Sequence, residues 1–204
     1  TTQGKADVHD EVDSFAGLLD QHALAIAQRV DSSNMLRSWQ TAMIYVEKLY
    51  QHQMPSRLID SYDALAERGM GAVANMTIQQ IEKVIVEDPR YEEPPQNWKS
   101  DSHYCLPFQG AESLMQAGER VAAHLQQQMQ KLHAEAGVDT VKLFVGHGAA
   151  FRHAAFHLGI LQFEQLAQFS MFHARPVLIE YIDDGNWRHI GGDWKLRNAA
   201  NGLD

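Results

Sequence analysis

An α/β domain with a mostly parallel central sheet flanked by helices is the fold class this sequence predicts, and three observations predict it. Stretches with apolar residues at helical spacing alternate with short apolar, β-branched runs. One such run, 141–145, leads through Gly146-His147-Gly148 into a second apolar stretch at 149–158, the pattern of strand, tight turn and helix. Nothing repeats along the 204 residues, so residues 1–204 read as a single domain with one core.

The elements follow in order. Residues 1–13 are polar and acidic with no period, which predicts a mobile or truncated N-terminal arm. Leu18, Leu19, Leu24, Ala25, Ala27 and Val30 recur at roughly helical spacing and predict a first helix. Asp31-Ser32-Ser33-Asn34 is a capping cluster, and Leu36, Met43, Val46, Leu49 and Tyr50 give a second helix that stops before Pro55. Leu58 and Ile59 suit a short strand, and 61–75, with Gly69 and Gly71, reads as a loop. Thr77-Ile78-Gln79-Gln80 is a capping box that opens a helix running to about 86. Residues 88–110 hold Pro89, Pro94, Pro95 and Pro107 without a period, and a loop that long in a compact domain is usually functional, here a substrate-facing one. A long amphipathic helix is expected over 111–136 with Gly137 as its stop. After the strand and helix at 141–158, a short helix near 163–169 and two strands at 177–182 and 187–190, joined as a hairpin, complete the chain.

Composition narrows the partners. A formal net charge of −9 and no Lys/Arg cluster argue against nucleic acid, which needs a basic stripe. No apolar run approaches the ~20 residues of a membrane span, so no membrane partner is expected. Cys105 is the only cysteine, which excludes an internal disulfide and fits a reducing, cytoplasmic setting.

His147 is the focus. At a strand-to-helix turn its side chain lies beside the free N–H groups of a helix N-terminus at the carboxyl end of a sheet, where α/β proteins hold anions. A plain titratable turn residue fits the turn equally well. His153 and His157 are spaced as zinc ligands can be, but no third ligand accompanies them, so no metal is expected. Cys105 beside His103 lacks an orienting third group for a thiol nucleophile. Glu112 and Ser113 suit a helix start whatever the function, and Arg175 suits the surface.

Four stretches carry a resemblance. Ser33-Asn-Met-Leu-Arg37-Ser-Trp-Gln-Thr-Ala42 resembles a Ser-x-x-x-Arg-x-x-x-Thr-Ala helix start, and Leu65-Ala-Glu67-Arg-Gly-Met-Gly71 a Leu-x-Glu-Arg-x-x-Gly loop. Gly110-Ala-Glu-Ser113 resembles a Gly-Gly-Glu-Ser helix start, and Gly146-His147-Gly148 a Ser-His-Gly turn. In this order and spacing they resemble the histidine phosphatase superfamily, the phosphoglycerate mutase-like fold, over about residues 30–190.

The resemblance implies a phosphatase that hydrolyses a small phosphomonoester through a phosphohistidine, without cofactor or metal, and with a homodimer left open. Arg37 would bind the phosphate, Glu67 would protonate the leaving oxygen and His147 would be the second histidine of the pocket. Gly148 at the helix N-terminus, Ser113 at the start of the long helix and His103 in the long loop are further substrate-binding candidates. The family's nucleophile sits in Arg-His-Gly on a central strand, and that triplet does not occur here. His9 is one candidate for the role; a strand ahead of Thr1, suggested by placing Gln3-Gly4 on a Gln-Gly pair that follows the family's motif, is the other. The join between the first helix and Ser33 leaves little room for the strand the family has there. Two alternatives stay open: a phosphoglycerate mutase-type phosphotransferase, and a non-catalytic phosphate-binding module that lacks the nucleophile.

Overall fold

The computed structural model describes residues 1–50, 54–135, 139–183 and 185–197. In chain order it contains helix α1 (Thr2–Gln21), strands β1 (Ala25–Ile26) and β2 (Val30–Ser33), helix α2 (Leu36–Tyr50), strand β3 (Ile59–Tyr62), and helices α3 (Ile78–Glu87) and α4 (Leu114–Glu135). Strands β4 (Thr140–Val141) and β5 (Phe144–Val145), helices α5 (Gly148–His157) and α6 (Gln165–Gln168), and strands β6 (Phe169–Ser170), β7 (Leu178–Asp183), β8 (Asn186–Gly191) and β9 (Lys195–Leu196) follow.

The central sheet has the order β3-β2-β5, with both pairings parallel, and β1 with β4 extends the same two chain segments by a further parallel pair. Parallel neighbours need helical crossovers, which α2 supplies between β2 and β3. This is the α/β architecture that the alternating pattern predicts. β7 and β8 pair antiparallel, as expected for the terminal hairpin, although Asp184 of its turn lies outside the described residues. Gly137, the expected stop of α4, lies outside them as well. α3 begins at its capping box, where Thr77 and Gln80 bond reciprocally, and residues 88–110 form neither helix nor strand.

The N-terminal third corrects three expectations. Residues 1–13 are no mobile arm: they are the first turns of α1, with the Thr1 hydroxyl capping the Gly4 N–H. Val8, Val12, Phe15 and Leu19 fall on one face at helical spacing and are buried in the core with Val30, Tyr45 and Val46. That apolar stripe is one residue wide, so the polar and acidic residues around it hide it. The helix expected over 18–30 ends at Gln21, and the chain passes through Ala23, at φ 50°, into β1 and β2. Ser33, thought to have no room for a preceding strand, is the last residue of one.

β2 is polar and fully buried, a combination that periodicity cannot detect. Its Asp31 is 1 % exposed and bonded to His124 Nε2 at 2.9 Å and Lys142 Nζ at 2.6 Å. A buried carboxylate without such partners would be strongly destabilising.

α4 and α5 pack against each other with no space between them at Gly118. A Cβ there would stand 2.4 Å from His153 Cβ and 2.6 Å from its carbonyl carbon, so only glycine allows this approach. The other flank of β5 is different. Among the described residues β5 is the last strand of its sheet, and a cavity of about 1310 Å³ lies between it and β7, lined by Leu143, Phe144, Val145, Leu178, Ile179 and Tyr181 among others.

Candidate active site

The carboxyl ends of β2, β3 and β5 open on one side, where a parallel sheet presents its loops to ligands. Ser33 ends β2, and Arg37 lies in the first turn of α2 just beyond it. Glu67 follows the 3₁₀ turn Asp63–Leu65 after β3, and His147 follows β5 as the N-cap residue of α5. Three residues far apart in sequence therefore meet because their strands are neighbours.

Arg37 Nη2 stands 3.0 Å from His147 Nδ1 and 3.8 Å from Glu67 Oε2, and His147 Nδ1 is 3.7 Å from the same carboxylate oxygen. A guanidinium can only donate, so His147 Nδ1 accepts and the proton of the neutral ring sits on Nε2. Nε2 lies 3.0 Å from the Ser33 hydroxyl and 3.3 Å from that of Ser38. Both hydroxyls are buried and fix the ring. Burial pushes the His147 pKa below its ordinary value; Glu67 opposes this, and the cations of Arg37 and Arg120 add to the depression. Arg37 itself is 58 % exposed, so the cation is held at the mouth of the pocket and His147 at its floor.

Gly148 is the first residue of α5, and with Ala149 it lines the same cavity as Arg37, Glu67 and His147. The first N–H groups of a helix have no intrahelical acceptor and favour an anion. A guanidinium, an imidazole and a helix N-terminus converging on one point can hold a tetrahedral oxyanion, with a carboxyl group at its edge.

The other expected site residues lie elsewhere. Ser113 is buried and caps α4: its hydroxyl accepts from Gln116 N–H at 3.1 Å while the Gln116 side chain accepts from Ser113 N–H at 2.8 Å. His103 stacks on Phe163, with ring centroids 5.5 Å apart, and neither residue lines the cavity. His9 is exposed on α1 and is not among the cavity-lining residues. Arg175, in contrast, lines the cavity, and it pairs with Glu11. His153 is buried between the Ala149 carbonyl and the Ser102 hydroxyl, and burial lowers its pKa to about 4. Among the described residues no group of three or more His, Cys, Asp or Glu could hold a metal ion, and no helix is long and apolar enough to cross a membrane.

Sequence reasoning did not assign roles to Ser33 and Ser38, although both fall inside the stretch that carries Arg37. Their spacing around the start of α2 was the available signal. Nor did it assign one to Arg120, which contacts the backbone just before Glu67.

The family model of the histidine phosphatase superfamily, branch 1, matches residues 10–190, and the chain belongs to that superfamily. Among solved structures it is similar to a mycobacterial glucosyl-3-phosphoglycerate phosphatase in complex with inorganic phosphate, at 18% identity and a TM-score of 0.58, covering 93% of this chain and 83% of that one. The alpha-ribazole phosphatase from Shigella flexneri is similar at 14% identity and a TM-score of 0.58, over 89% of this chain and 79% of that one. A structure described as mycobacterial hydrolase 2 aligns at 18% identity and a TM-score of 0.56, over 94% and 80% of the two chains. No curated protein sequence matches the chain. At these identities the structural likeness speaks for the fold, which is the phosphoglycerate mutase-like one.

Proposed function

We propose that this protein is a phosphatase that hydrolyses a small phosphomonoester through a phosphohistidine intermediate. The observation that carries the reading is the meeting of Arg37, Glu67 and His147 within 3.0 to 3.8 Å at the carboxyl end of the sheet. Phosphoryl transfer is mostly positioning and charge neutralisation. Arg37 and the N-terminus of α5 would take up the equatorial oxygens beside His147, and Glu67 in its acid form would protonate the alkoxide that leaves. Small phosphorylated compounds are also what the names of the two structurally similar phosphatases describe as their substrates.

The attacking histidine would sit across the phosphate from the leaving oxygen. His9 stands apart from the cavity, whereas the outer edge of β5 is open among the described residues and faces it. A strand laid parallel along that edge would end beside His147. That argues for a histidine on a strand at this edge and against His9 as the nucleophile.

The test is hydrolysis of an aryl phosphate by the natural gene product, with rapid acid or alkaline quenching to trap the phosphoenzyme. An alkali-stable, acid-labile phosphoenzyme is expected, together with a loss of kcat/KM of at least about 100-fold in His147→Ala. Phosphate binding without turnover by that same protein would replace this reading with the non-catalytic module.

A further inference from the structure

We propose that Arg120 and Glu112 are positioning residues that hold the Glu67 carboxyl group at the site; the inference rests on the reading of Glu67 as the proton donor. Neither site contact of the Glu67 Oε2 is at hydrogen-bond distance: Arg37 stands 3.8 Å and His147 3.7 Å away. The Glu67 Oε1 accepts from the N–H of the next residue, Arg68, at 3.1 Å, and the side chain is 37 % exposed. The position of the carboxylate therefore follows the position of the loop.

That loop is tethered on both sides of Glu67 by one ion pair, made by Arg120 of α4 and Glu112 just ahead of that helix. On the near side Arg120 Nη1 donates to the carbonyls of Asp63 at 3.0 Å, Ala64 at 2.8 Å and Ala66 at 3.3 Å. The Asp63 carbonyl also accepts from the Ala66 N–H at 3.0 Å, and a guanidinium at the end of the 3₁₀ turn complements the dipoles and remaining lone pairs of these carbonyls. On the far side Glu112 Oε1 accepts from the Gly69 N–H at 2.8 Å, while the Glu112 N–H donates to the Gly69 carbonyl at 3.0 Å. Arg120 Nε and Nη2 close the arrangement on the Glu112 carboxylate, and both side chains are largely shielded from water. Gly71 seals the far end: at φ 62°, with its Cβ position 2.5 Å from the Gln109 carbonyl, it lets the loop lie directly against residues 109–111. Glu67 thus lies between two fixed points of its loop, and a single pair of charges sets both.

A pair that only stabilised the fold would affect all substrates alike. A pair that positions a proton donor matters in proportion to how much the leaving group needs the proton. The experiment compares ethyl phosphate, whose alkoxide needs protonation, with dinitrophenyl phosphate, whose phenolate leaves unaided, for the wild type, Glu67→Gln, Arg120→Met, Arg120→Lys and Glu112→Gln.

Misplacing a general acid by about 1 Å costs on the order of 100-fold, so kcat for ethyl phosphate is expected to fall by that factor in Arg120→Met and Glu112→Gln. KM for ethyl phosphate, and kcat for dinitrophenyl phosphate, are expected to stay within about threefold. Arg120→Lys, which keeps the charge but loses the fork, should recover part of the loss. Glu112→Gln is nearly isosteric and carries the test if Arg120→Met does not fold. Equal losses on both esters, or no loss on ethyl phosphate while Glu67→Gln is impaired, overturn the positioning role alone. A wild type that turns over neither ester, or whose ethyl phosphate rate is indifferent to Glu67→Gln, overturns the role of Glu67 and this proposal with it.

Discussion

The two flanks of β5 are packed to opposite standards. On the helical flank α4 and α5 touch so closely that a single methyl group has no room at Gly118, and Leu65, Ala117, Val121, Ala150 and Ala154 form a buried cluster. On the other flank Phe144 and Val145 of β5 and Ile179 and Tyr181 of β7 line a cavity of about 1310 Å³. Protein interiors are normally filled to crystal-like density, so the contrast separates a flank that the described residues fill from one that they leave open. The site lies at the boundary: Arg37, Glu67 and His147 are set by strands and loops of the packed flank and face the open one.

Substitutions can sharpen or break that contrast. The largest effect is expected from Leu65→Ala, at 1 % exposure in the packed cluster, which should destabilise the fold by about 4 kcal/mol in urea unfolding. Gly118→Ala should cost about 3 kcal/mol by the same measurement, because the added methyl meets backbone that cannot turn aside.

The pH dependence of stability tests the same interface. His153 is held neutral in the fold, with its Nδ1–H on the Ala149 carbonyl, and its pKa falls from 6.5 to about 4. The unfolded chain therefore binds this proton first as pH falls. The contribution is complete above about pH 6.5 and is lost progressively down to about pH 4, by at most about 3 kcal/mol at 1.36 kcal/mol per pKa unit. The unfolding midpoint should fall across that window, and His153→Gln should flatten the slope. The smallest effect belongs to the open flank: Ile179→Ala removes a half-buried side chain that already lacks neighbours on its cavity side, and about 1 kcal/mol is expected. If Ile179→Ala proved as damaging as Leu65→Ala, the two flanks would be equally packed in solution and the contrast would be lost.

Much of the fold and the core of the site were legible in the sequence, and what was missed shares a cause. α2, α3, α4 and α5 announce themselves because each carries an apolar stripe with a cap or a breaker at its end. His147, Arg37 and Glu67 were found through motif order, and their meeting depends on the parallel order β3-β2-β5, which spacing alone does not fix. α1 was missed because four buried apolar positions are diluted by acidic neighbours, and β2 because three of its four buried residues are polar. Ser113 and His103 were drawn toward the site by the motif and loop that contain them. The structure uses one as a helix cap and the other in an aromatic stack. In each case a tertiary partner decides the role of the residue, and local pattern does not contain the partner.

The polar character of β2 has a consequence for assembly. A strand with few apolar side chains could slide along its neighbours at little hydrophobic cost, and a slip of one residue would exchange its two faces. Asp31 prevents this. Its carboxylate finds cations or donors only where His124 of α4 and Lys142, just ahead of β5, reach it together. Any other register leaves a charge in the interior without them. The three groups come from positions 31, 124 and 142, so the key fits only when the first strands, the long helix and the strand before His147 have all come together. The carboxylate thus works as a register check on the sheet that carries Arg37, Glu67 and His147 at its end.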